Sequence, residues 1–79
     1  MTTAPKLTAK QGRENAQRAD RAAAILSEYA DMVGEEIFDR KTTLCDLLAD
    51  MMHLMGADVV DRCMLSSTTH YEAERNGEP

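Results

Sequence analysis

Two carboxylates and an imidazole stand at Asp46, Asp50 and His53. The i, i+4, i+7 spacing puts all three on one face of a helix. Hard divalent cations take carboxylate oxygens readily, so this face could ligate a divalent metal. The same spacing also describes the solvated flank of a greasy helix, beside Leu47, Met51 and Leu54, and that reading needs no ligand. We assign no metal and no cofactor to it. Cys45, His53, Cys63 and His70 offer a second constellation, of zinc-ligand type. Their separations are eight, ten and seven residues, whereas structural zinc sites bring ligands as close pairs. The two cysteines therefore read as small apolar groups buried in a core. A nucleophilic role for Cys45 is disfavoured by the adjacent Asp46, which opposes thiolate formation. No residue is assigned as catalytic, and the chain reads as non-enzymatic.

The elements that would position these residues follow from periodicity, and they predict an all-α fold. Thr8-Ala9-Lys10-Gln11 fits a capping box. After it, Ala19, Ala22, Ala23, Leu26, Tyr29, Ala30 and Val33 recur at three- and four-residue steps, one apolar stripe on a first helix that Gly34 can end. Glu14 and Arg18 are spaced to form an ion pair along it. Residues 35–43 read as a connector, with Ile37 and Phe38 docking onto the core. Thr42 or Thr43 is expected to cap a second helix, with Asp46 in its positive first turn. That helix carries Leu44, Leu47, Leu48, Met51, Leu54 and Met55 on one face and should form the centre of the structure. Gly56-Ala57-Asp58 then separates it from a third helix capped by Asp58, with Val59, Val60, Cys63, Met64 and Tyr71 apolar and an end near Arg75. The expected architecture is a three-helix bundle with a hairpin of the second and third helices. Residues 1–7 and 77–79 are expected to be tails around a single domain over 8–76.

Composition narrows the function. The formal charge is -5, and it is uneven. Residues 1–34 carry five bases against four acids, and residues 35–79 carry ten acids against four bases. With no basic stripe and only 4% aromatic residues, direct nucleic-acid binding is disfavoured. Acids repel phosphates and favour basic protein surfaces. Two widely spaced cysteines fit a reducing cytoplasm rather than a disulfide scaffold. No apolar stretch reaches the ~20 residues of a membrane span. At 79 residues, rich in alanine and methionine, with one phenylalanine and no tryptophan, the core should be thin. A second copy or another protein is expected to complete it, which makes a homodimer the expected state.

Two resemblances add context. Cys45-Asp46-Leu47-Leu48-Ala49-Asp50 resembles a helix of the all-α nucleotide pyrophosphohydrolases, which hold magnesium with acids on paired helices. That resemblance implies an alternative reading: a dimeric, metal-dependent nucleotide hydrolase using Asp46, Asp50 and His53. The family's pair of glutamates three apart on one helix is missing, since Glu35 and Glu36 are adjacent. Glu28 and Asp31 are three apart on the first helix. Leu47-Leu48-Ala49-Asp50-Met51-Met52-His53-Leu54 and His70-Tyr71-Glu72-Ala73-Glu74-Arg75 resemble small uncharacterised helical proteins of bacterial mobile elements and phages, with anti-CRISPR inhibitors similar in size and charge. The resemblance implies an acidic, non-enzymatic interaction protein that docks on a host complex and inhibits or modulates it. Asp46, Asp50, Asp58, Asp61, Glu72 and Glu74 are the candidates to meet basic residues of such a partner.

Overall fold

The computed structural model describes residues 7–36 and 39–77. Three helices account for most of them: α1 (Ala9–Val33), α2 (Arg40–Met55) and α3 (Ala57–Arg75), with no strand among the described residues. The all-α bundle expected from periodicity is what the chain forms. α2 and α3 pack against each other most extensively, α1 packs less on α2, and α1 touches α3 least.

Local chemistry sets each boundary. The capping box at Thr8 is complete: its hydroxyl accepts from the Gln11 amide at 3.1 Å, and the Gln11 side chain accepts from the Thr8 amide at 2.9 Å. At the other end Gly34 adopts φ 74°, ψ 32°, the left-handed conformation. The Glu35 amide then reaches back to the Ala30 carbonyl at 3.1 Å and the Gly34 amide to that of Asp31 at 3.2 Å. This pair of bonds is a Schellman closure, and it satisfies carbonyls that the helix itself leaves open.

α2 begins earlier than its hydroxyl residues suggest. Asp39, not Thr42 or Thr43, is the N-cap: its carboxylate accepts from the Thr42 amide at 3.3 Å and from the Thr42 hydroxyl at 2.6 Å. A carboxylate accepts more strongly than a hydroxyl and suits the positive end of the helix. Those bonds, first the hydroxyl of Thr42, then its amide and that of Lys41, hold the Asp39 carboxyl below its ordinary value. Asp46 consequently lies beyond the first turn. Thr43, freed from capping, is fully buried and donates its hydroxyl to Glu35 at 2.8 Å. Ile37 and Phe38 fall outside the described residues.

Only Gly56 joins α2 to α3. At φ 95°, ψ 143° it occupies a region that side chains strongly disfavour, and this lets the chain turn within one residue. α3 therefore starts at Ala57, and Asp58 sits in its first turn without capping it. There its charge still faces the positive helix end. The run Ser66-Ser67-Thr68-Thr69 is helical throughout. Ser67, Thr68 and Thr69 turn their hydroxyls back to the carbonyls of Cys63, Met64 and Leu65, so they do not compete for backbone groups elsewhere.

The helices leave little inside. Ala30 and Val60 are the only buried apolar residues among those described, with Leu26, Leu47, Leu48 and Val59 half-buried. α2 was expected to be the apolar centre, yet Leu44, Met51, Leu54 and Met55 are exposed. α1 and α3 pack on α2 and leave the rest of its apolar surface uncovered. The cysteines, expected in the core, are both exposed. The Cα radius of gyration is 15.5 Å, against about 12 Å for a compact domain of this length.

Candidate interaction surface

Polar bonds, more than apolar packing, tie α1 to the end of α3. The Gln11 side chain, already closing the α1 cap, donates to the Gly77 carbonyl at 2.8 Å. One turn on, Asn15 donates to the Glu74 carbonyl at 3.0 Å and accepts from Arg18 at 2.7 Å. Arg18 also pairs with the Glu74 carboxylate at 2.8 Å. This is not the Glu14–Arg18 pair that spacing suggested. Glu14 instead lies 3.9 Å from Lys10. Because the Arg18–Glu74 partners are both over a third exposed, the pair contributes less than about 1 kcal/mol. Gly77, expected in a tail, is thus held to the helices. Between α1 and α3 runs a shallow groove of about 420 Å³, lined by Leu7, Ala19 and Tyr71 among others.

A second polar centre links α1 to α2. The Tyr29 hydroxyl donates a hydrogen bond to the Asp50 carboxylate. That bond first, then partial burial and the negative charges of Asp50, Asp46 and Glu35, push the Tyr29 hydroxyl from 10.0 up to about 12. Spacing alone did not reveal this contact. Tyr29 looked like part of an apolar stripe, and its hydroxyl, which needs a partner when half-buried, was the available signal.

The six candidate acids divide accordingly. Asp46, Asp58 and Asp61 are exposed. Asp50 is exposed but accepts from Tyr29, and exposed Glu72 lies 3.8 Å from Arg75. Glu74 is half-buried and engaged by Arg18, so its first role lies within the chain. Asp46, Asp50 and His53 share α2, but among the described residues no three His, Cys, Asp or Glu side chains converge to hold one ion. The same holds for Cys45, His53, Cys63 and His70, which are all exposed.

Many large apolar side chains are exposed as well. Ile25 and Met32 on α1, Leu44, Met51, Leu54 and Met55 on α2, and Met64, Leu65 and Tyr71 on α3 are all exposed, Leu54 by 78% and Met32 by 82%. Soluble chains seldom leave so many large apolar side chains in water unless another surface covers them. Among the described residues no helix is long and apolar enough to cross a membrane. No match is found when the chain is compared with protein families, with curated proteins or with solved structures.

Proposed function

We propose that this chain is a small, acidic, non-enzymatic interaction protein that docks on a larger protein complex through a basic surface of that complex and inhibits or modulates it. The observation that carries the reading is the exposure of Asp46, Asp58, Asp61 and Glu72 beside uncovered apolar side chains on all three helices. Exposed acids steer a basic partner into place, and apolar anchors such as methionine, which adapts its shape, hold it there. Complexes that present lysine and arginine to nucleic acid, CRISPR effectors among them, are the target class this charge fits, because bound acids would compete with phosphates. Two free, exposed cysteines agree with work in a reducing cytoplasm. Self-association as a homodimer belongs to the same reading.

The test is affinity capture from a bacterial lysate, run with the wild-type chain and with an Asp61→Lys/Glu72→Lys variant. A specific partner should be held at low salt by the wild type, be released as the Debye length falls to about 3 Å near 1 M salt, and fail to bind the variant. A partner held equally by both chains at high salt would contradict the acidic-docking reading.

A further inference from the structure

We propose that Asn76–Gly77 is a site of spontaneous deamidation, and that the polar clasp between α1 and the end of α3 sets how fast it reacts. This is the chain's single asparagine–glycine step; the other asparagine, Asn15, precedes Ala16 inside α1. The reaction needs no enzyme, cofactor or oxidant. The Gly77 amide nitrogen gives its proton to solvent base and attacks Asn76 Cγ, which closes a five-membered imide. The side-chain nitrogen takes up a proton and leaves as ammonia. Water then opens the imide at one of its two carbonyls, leaving aspartate or isoaspartate at position 76. Glycine is the neighbour that permits this most readily, because no Cβ obstructs the approach.

The fold slows this chemistry without abolishing it. Asn76 is the C-cap of α3 at φ -87°, ψ -2°, and ring closure requires ψ to rotate well away from that helical value. The Gly77 amide is engaged, donating to the Glu74 carbonyl at 3.3 Å, and the Gly77 carbonyl accepts from Gln11 at 2.8 Å. Gln11 is fixed in turn by the Thr8 amide at 2.9 Å. Asn15 and Arg18 complete the clasp on the carbonyl and the carboxylate of Glu74. Little else holds this end together: α1 touches α3 least, and no α1 residue before Ala30 is buried. Hydrogen bonds at a half-buried terminus without apolar packing open locally, at lower cost than the whole fold. Asn76 therefore reacts at a rate set by how often the clasp opens. Either product adds a negative charge at the negative end of α3, and isoaspartate also lengthens the main chain ahead of Gly77 by one carbon. The modification thus loosens α1 from α3 in one direction only.

The test is a time course of the full chain at neutral pH, with peptide mass spectrometry to locate amide-to-acid conversion and circular dichroism on the same samples. Native wild type, Gln11→Ala and Asn15→Ala are compared with wild type unfolded in guanidinium. Conversion at Asn76 should be fastest in the unfolded chain and slowest in the native wild type. Each variant loses one bond of the clasp and should react about fivefold faster than the native wild type, with its helical signal retained. Gln11→Ala also removes half of the Thr8 cap. Asn15→Ala leaves that cap whole, so it separates a loosened clasp from a frayed helix. No conversion at Asn76 in the unfolded chain would overturn the site. A native wild type that reacts as fast as the unfolded chain, or an Asn15→Ala variant that reacts no faster than the native wild type, would overturn control by the clasp.

Discussion

At the scale of single residues, Tyr29 and Asp50 are the most informative pair. The tyrosine hydroxyl is held at about 12, chiefly by its bond to Asp50. Because the folded value is raised, the folded state holds this proton more tightly than the unfolded chain does. The stabilisation is therefore complete below the ordinary 10.0 and is lost as pH rises through about 12. Asp50→Asn removes both the carboxylate acceptor and its charge. The late tyrosinate step in an ultraviolet absorbance titration should then move down toward 10.0. An unchanged titration would show that the Tyr29–Asp50 bond does not govern this proton. Asp39 has the opposite sign. Its lowered carboxyl contributes stability above 3.8 that is lost as pH falls through the lower folded value.

At the scale of elements, boundaries set by adjacent residues were legible, and contacts between distant ones were not. Thr8 and Gln11 lie three apart, and Gly34 directly follows an apolar stripe, so both ends of α1 could be read from local chemistry. The start of α2 was misplaced because two threonines compete with Asp39, and the outcome depends on which acceptor is stronger. Gln11 to Gly77 and Asn15 to Glu74 span 66 and 59 residues. No local pattern encodes such pairings, which exist only once the three helices have met. Gly56 carries the element-scale prediction. At φ 95° a Cβ would meet no neighbouring atom within 4 Å, but the backbone conformation is one that L side chains rarely adopt. Gly56→Ala should therefore cost about 1–3 kcal/mol through conformational strain, read as a lowered midpoint in a urea melt. An unchanged midpoint would show that the α2–α3 joint tolerates another conformation.

At the scale of the whole molecule, the same alanine- and methionine-rich composition that predicted a thin core also accounts for the open shape. Among the described residues only Ala30 and Val60 are fully buried apolar side chains, so the packed interior of one copy is small. The acids were legible as residues, but their division was not, since Glu74 is engaged by Arg18 and Asp50 by Tyr29 across helices. Whether the chain pairs as a homodimer is tested most directly by the thermal midpoint of the helical signal as a function of protein concentration. If folding and pairing are one equilibrium, the midpoint should climb steadily across a hundredfold increase in concentration. A midpoint that stays fixed over that range, with full helicity at the lowest concentration, would contradict this account.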